Sequence, residues 1–473
     1  MMRSAGRVLA GGLLTCLLSG GCALLTTPPP ALRLAAAPPR ARSIETTGRA
    51  LADPGTRAAV RAHSVEIHPE FTLAFVEFDD QGRLWNREQL DLVETTLQAE
   101  NERTDTSGLA VLVFVHGWRH NCDVCDSNVA CFRTFLRQVH SDSDAAATLY
   151  SSARILPKRT VAIYVGWRGL SSKVQPLEDL SFWARKRVAH RVADGDFVEL
   201  LTRVELFVRR ANAADPERAR LSIIGHSLGG TMVYAALANI LKERVLEAAQ
   251  HQEETDPRAS VIRGFGDLVV LINPAFEASL YQPLNELAAR FRRFSPLQTP
   301  VLLTIASETD GPNGFWFPLG RRIETLFEST GDRSPRRQIV TSVGNYQEFW
   351  THRLTAAVPP RSPMSKDVVA RRIRDCACAL PLESIDPREA AYLISLVLER
   401  GTPASAPDGT EAVPYGRALL TPLKPIDPHY PFWVVRASDD VIHSHNGIFT
   451  TYLLDFVRRV VIEANVRSRA RAS

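Results

Sequence analysis

Ser227 stands between two glycines in Gly225-His226-Ser227-Leu228-Gly229, directly after the apolar run Leu221–Ile224 and just before a small-residue helical pattern that opens at Thr231. That succession predicts a strand, a sharp turn and a helix, with the serine at the apex. Such a turn holds the serine in a strained backbone conformation, and glycines on either side leave room where strand and helix crowd together. A hydroxyl presented there can act as a nucleophile if a base takes its proton and a carboxylate orients the base. The pentapeptide alone is a weak signal, and its setting between strand and helix makes it a strong one.

Three further features join it: His116-Gly117-Trp118 closes the continuous apolar run Leu109–Val115, Glu308 and Asp310 close the apolar run Val301–Ala306, and a late histidine precedes the last helical pattern. Together with the serine turn, they make the chain resemble the α/β-hydrolases, over roughly Val65 to Ala464. GHSLGG together with HGW resembles bacterial lipase- and esterase-like members. The resemblance implies the chain order serine, acid, histidine. Of twelve histidines, His352, His429, His443 and His445 follow Asp310. His445 is the expected base, because the family places that residue at the junction with the final helix; His443, nearer the strand, is expected only to line the site. Asp310 is the first choice for the acid, with Glu308 and Glu277 as alternatives. Asp439 and Asp440 are read as surface groups or neighbours of the base.

A tetrahedral oxyanion at Ser227 needs fixed backbone donors. The amide of Leu228 supplies one, and the resemblance points to the amide of Trp118 for the other, while the Trp118 side chain is equally suited to a pocket wall or a core anchor. His116 and Gly117 are placed with the substrate-binding loop, His116 ordering it, and His226 is expected to pack beside the serine turn. Phe315 and Trp316, with Phe317, form an aromatic trio suited to an acyl pocket or to core. No metal or organic cofactor is expected.

The surrounding pattern supplies elements to carry these groups. Strands are expected over Val65–Asp80, Leu109–Val115, Thr160–Trp167, Leu221–Gly225, Asp267–Ile272, Val301–Ala306 and Phe432–Ala437. Helices are expected over Asn86–Glu100, Ser127–Val139, Leu177–Arg210, Thr231–Gln250, Pro283–Phe294 and Ile448–Ala464. Strands alternating with helices imply right-handed βαβ units and a mostly parallel sheet covered on both faces. From Gly311 to Pro431 the alternation fails. One helix is expected there, over Pro387–Arg400, and the segment reads as a cap or a peripheral insertion within a domain spanning residues 65–473.

With 45% hydrophobic and 23% charged residues the chain is globular in composition, and 56 basic residues against 52 acidic ones leave a formal charge of only +4. No basic stripe interleaved with aromatics is present, which argues against a nucleic-acid partner. Arg3 and Arg7, the apolar Val8–Leu18 and the small residues before Cys22 read as a secretory signal over residues 1–21. Leu18-Ser19-Gly20-Gly21-Cys22 resembles the bacterial lipobox, which implies lipid on Cys22 and a membrane anchor, and Ala23 after it resembles cargo sorted to an outer membrane. Residues 22–64, rich in Pro and Ala, read as a tether. Five cysteines remain after Cys16 and Cys22: Cys122, Cys125, Cys131, Cys376 and Cys378. An oxidising envelope favours disulfides, one of them expected to stiffen the loop between Cys122 and Cys131, with zinc as the alternative at this spacing. The sequence reading is a lipid-anchored or secreted envelope serine hydrolase acting on a small-molecule or lipid ester. The alternatives are a thioesterase or acyltransferase, a hydrolase fold kept only for binding or scaffolding, and a membrane-surface protein that binds lipid without turning it over.

Overall fold

The computed structural model describes residues 63–149, 158–169, 177–216, 218–325, 328, 331, 335–357, 371, 377–378, 404–405 and 411–472. The signal, Cys22, nearly all of the tether, Cys376 and the helix expected over Pro387–Arg400 lie outside these residues.

Among the described residues twelve strands form one sheet: β1 Val65–Ile67, β2 Phe71–Glu77, β3 Leu109–Val115, β4 Arg159–Gly166, β5 Ala219–His226, β6 Leu268–Ile272, β7 Leu302–Ser307, β8 His352–Ala356, β9 Ala404–Ser405, β10 Glu411–Tyr415, β11 Ala418–Pro422 and β12 Phe432–Ala437. Their order is β1-β2-β4-β3-β5-β6-β7-β12-β8-β11-β10-β9. The run from β2 to β8 is parallel throughout, and antiparallel strands close both ends. The central strands read as continuous Val, Ile and Leu because both faces are covered: every residue of β2, β4, β5, β6 and β7 is buried.

The helices are α1 Glu88–Asn101, α2 Ser127–Leu149, α3 Leu177–Ala193, α4 Asp196–Ala214, α5 Leu228–Ala249, α6 Ala278–Ala288, α7 Phe317–Glu324, α8 Arg336–Val340 and α9 Thr451–Ala472. One apolar layer joins the sheet to α1, α3, α4, α5 and α6, through residues such as Val93, Val192, Phe197, Leu237 and Tyr281. The other joins the opposite face to α2 and α9, through Phe132, Leu136, Leu453 and Phe456. The chain after β3 therefore leaves toward one layer, and the chain after β5 toward the other. Between two such diverging connections an open α/β sheet leaves a crevice at its carboxyl ends, which is where Trp118 and Ser227 fall.

Two expectations differ from what the chain does. The helix placed at Pro283–Phe294 begins instead at Ala278 and ends at Ala288, with Pro283 inside it. A proline usually marks a first helical turn, but here the start is set further back, where the Ala278 amide donates to the Thr341 carbonyl. The segment 311–431 also joins the sheet, since β8 pairs with β12 and β11 and β10 add outward from it. Its alternation is short and broken by proline, so the strand pattern is weak in sequence.

The local cysteine bridge is corrected as well: Cys131 of α2 pairs with Cys378 across 247 residues, Cys125 is also disulfide-bonded, and Cys122 is a buried cysteine outside these bonds. Oxidised sulfurs are not zinc ligands, which removes the zinc reading for this group. A cross-link closing so long a loop restricts the unfolded chain. Cys131→Ala/Cys378→Ala is expected to lower unfolding free energy by on the order of 2 kcal/mol in urea titrations under non-reducing conditions. An unchanged midpoint would show that the bridge adds no stability.

Candidate active site

Ser227 has φ 54 and ψ −119, a conformation rare for a residue with a side chain. The strain is imposed from both sides. A Cβ on Gly225 would lie 2.8 Å from the Gly230 Cα, and one on Gly229 would lie 2.2 Å from the Val115 carbonyl oxygen. The end of β5 and the start of α5 therefore meet with no space for side chains, and the serine takes the turn. Its own amide donates to the Ile272 carbonyl at 2.9 Å, which ties the apex to β6.

Three side chains distant in sequence converge there. His445 Nε2 lies 2.7 Å from Ser227 Oγ, and His445 Nδ1 lies 2.9 Å from both carboxylate oxygens of Asp310. All three are buried: Ser227 is 1% exposed, Asp310 4% and His445 6%. With a carboxylate on the Nδ1 side, the neutral ring carries its proton on Nδ1 and turns a lone pair on Nε2 toward the serine hydroxyl. Glu308, the alternative acid, instead pairs with Arg353 at 3.0 Å on the surface. Glu277 is buried against Lys186 and Arg321. Burial alone would raise its pKa, but those two cations outweigh burial and hold the carboxyl below its ordinary range. His443 is exposed and bonds to Asp439 at 2.9 Å.

The loop that carries His445 is a tight reversal in which His443 bridges Gly447 and Ser444 takes φ 62. A Cβ on Gly447 would lie 2.2 Å from the His443 carbonyl oxygen, so glycine is required. Polar side chains fix this loop to its neighbours. Ser307 Oγ donates to the Ile442 carbonyl at 2.7 Å, and the Ser444 amide donates to Thr309 Oγ1 at 3.1 Å. The His445 carbonyl accepts from Asn273 Nδ2 at 2.8 Å and from His226 Nε2 at 3.0 Å.

Sequence reasoning missed Asn273 and Asn313. Asn313 donates from its backbone amide to one Asp310 oxygen at 3.0 Å and from Nδ2 to the other at 2.9 Å, so each oxygen accepts from both this residue and the imidazole. Its place three residues after Asp310, at a helical start, was the available signal. Asn273, at φ 47, gave none beyond an Asn-Pro pair after a strand.

His116, expected to order the loop after β3 and grouped with the substrate-binding residues, keeps the ordering role but not a place among the residues that line the site. It is wholly buried, stacks on Trp167 with centroids 5.7 Å apart, and uses both ring nitrogens: Nδ1–H donates to the Gly117 carbonyl at 2.9 Å, and Nε2 accepts from the Trp167 amide at 3.3 Å. It braces the loop and does not line the site. Gly117 does meet the serine, since a Cβ there would lie 2.8 Å from the Ser227 Cβ. Neither the Trp118 nor the Leu228 amide has an acceptor among the described residues. The Trp118 ring meets Phe182 edge-on at 5.6 Å and lies under the Arg119 guanidinium. Trp316 is 65% exposed, and the side chain of Phe315 lies outside the described residues.

No protein-family model matches the sequence, and no curated protein does. Among solved structures, phospholipase PlaB from Legionella pneumophila matches at a TM-score of 0.23 and 11% identity, over 66% of this chain and 68% of that one. A likeness of that depth fixes neither fold nor activity. No helix among the described residues is long and apolar enough to cross a membrane.

Burial drives the pKa of His116 down to about 4, takes His352 to about 4, and, with the neighbouring His445, carries His226 well below 6.5. Folded, these rings stay neutral, whereas the unfolded chain protonates them near 6.5. Their stabilisation is therefore complete above about pH 6.5 and is lost as pH falls toward 4. Chemical denaturation should show stability declining across that window, and His352→Gln, away from the site, should make the decline shallower. An identical slope in the variant would contradict the assignment.

Proposed function

We propose that the chain is an α/β-hydrolase-fold serine hydrolase that cleaves carboxylic esters through an acyl-enzyme on Ser227. The observation that carries this reading is the unbroken line from Ser227 Oγ through His445 to Asp310, with 2.7 and 2.9 Å between successive polar atoms. The chain order serine, acid, histidine and the placing of the serine between β5 and α5 agree with that fold.

In this reading His445 Nε2 takes the Ser227 proton as Oγ attacks the ester carbonyl. Asp310 faces the resulting imidazolium, and Asn313 keeps the carboxylate aimed at Nδ1. The negative oxygen of the tetrahedral intermediate is received by the amides of Leu228 and Trp118, donors that no protein acceptor among the described residues competes for. His445 then gives its proton to the departing alcohol. Water, deprotonated by the same nitrogen, attacks the acyl-serine and frees the acid. The strain at Ser227 holds Oγ in place through both steps.

The envelope setting is part of the proposal. A disulfide between Cys131 and Cys378 suits an oxidising compartment, and Cys22 would carry the lipid that holds the enzyme at a membrane.

The test is labelling with a fluorophosphonate, which phosphonylates an activated serine, alongside hydrolysis of p-nitrophenyl esters of rising chain length. Parent protein should label and turn over. Ser227→Ala should lose both, Asp310→Asn should lose on the order of 10⁴ in kcat by reversing the hydrogen bond to His445, and Asn313→Ala should lose roughly tenfold while remaining folded. Folded parent protein that neither labels nor hydrolyses any ester would favour the binding or scaffolding alternative.

A further inference from the structure

The segment that follows Asp310, a π-helical turn Pro312–Trp316 running into α7, presents three different sides. Phe317 and Arg321 face inward, Phe317 packing on Trp183 with centroids 5.9 Å apart and Arg321 pairing with Glu277 at 2.7 Å. Pro318 and Arg322 line a cleft of about 830 Å³ whose other walls include Asn313, Arg336, Arg337 and Thr341. Trp316, Leu319 and Ile323 lie on the third side, spaced three and four residues apart as along one helical face, and are 65%, 42% and 65% exposed.

An apolar ridge on a surface helix is unfavourable in water and marks a surface that something covers. The adjoining cleft indicates what kind. Arg337 pairs with Glu348 at 2.7 Å, but among the described residues neither Arg322 nor Arg336 has an acidic partner. Guanidinium groups with no acidic partner among the described residues, beside an exposed Trp, Leu and Ile, are complementary to an amphipathic anionic surface, with acyl chains for the ridge and phosphates for the cleft. We propose that the Pro312–Glu324 segment and the arginine cleft form a docking surface for anionic phospholipid bilayers. The surface does not depend on the reactivity of Ser227. It adjoins the site, because Asn313 both lines the cleft and holds Asp310, so docking would bring that end of the sheet to the membrane.

The test uses the full chain, so that any membrane affinity of the N-terminal segment is common to every variant. Sedimentation with vesicles of phosphatidylcholine alone is compared with vesicles containing phosphatidylglycerol. The parent should bind the anionic vesicles more tightly, increasingly so at low salt, and Arg322→Glu/Arg336→Glu should weaken that binding about tenfold or more. A polarity-sensitive fluorophore on Ile323→Cys, with unsubstituted parent as the labelling control, should shift to the blue on anionic vesicles. Unchanged affinity after the double charge reversal, or a label that stays in an aqueous environment, would overturn the proposal. So would a dimer in solution that Ile323→Ser dissolves, since the ridge would then seat a second copy. Fluorophosphonate labelling without vesicles should be the same in parent and double variant, so failure to dock is distinguishable from failure of the serine chemistry.

Discussion

The rest of the site depends on the close passage of two backbones at the end of β5. Gly225 and Gly230 approach within the space a methyl group would occupy, and Gly229 lies against the carbonyls of Val115 and His116. These contacts leave Ser227 at φ 54, a strain on the order of 1–3 kcal/mol that the buried sheet on either side must sustain. A relaxed serine would turn its hydroxyl away from His445. The same contacts bring the Gly117 loop against the serine, so Ser227 and the amides of Leu228 and Trp118 are positioned by one piece of packing.

Asp310 and His445 arrive on separate loops and need a different device. Here it is a set of polar bonds: Ser307 to Ile442 and Asn273 to His445 are buried and tie the His445 loop to the ends of β7 and β6, Thr309 to Ser444 joins the two loops at the surface, and Asn313 fixes Asp310 within its own segment. Buried carbonyls and amides left without partners would cost about 1–3 kcal/mol each, so these loops have strong reason to stay together. The imidazole is thereby held by its backbone as well as by its ring, and His226, one residue before Ser227, contributes through the same carbonyl.

How much of this was legible in the sequence follows from where each signal is stored. The serine turn is local, since apolar strand, glycines and helical pattern follow one another without interruption from Leu221 past Thr231, and the central parallel strands are legible because burial on both faces makes them uniformly apolar. Choosing His445 over His443 rested on position relative to the last helix. The geometric reason is the Ser444 turn that directs one ring inward and leaves the other to Asp439, which only the folded loop displays. Asn273 and Asn313 act through partners brought together by the sheet, so neither stood out. The ordering role of His116 is legible from its place in the loop, whereas its side chain points into the core, where its partner Trp167 lies 51 residues further along the chain. The Cys131–Cys378 pairing spans 247 residues and could not be read from spacing. In 311–431 prolines and short strands hide an extension of the sheet.

The central claim is that Ser227 carries the acyl group during turnover. Intact-protein mass spectrometry after rapid mixing with a p-nitrophenyl ester and acid quenching tests this directly, followed by peptide mapping. The expected result is a mass increase of one acyl group, confined to the peptide containing Ser227, abolished in Ser227→Ala and decaying as product appears. Ester hydrolysis that proceeds undiminished in Ser227→Ala, or an acyl group found on another residue, would contradict it.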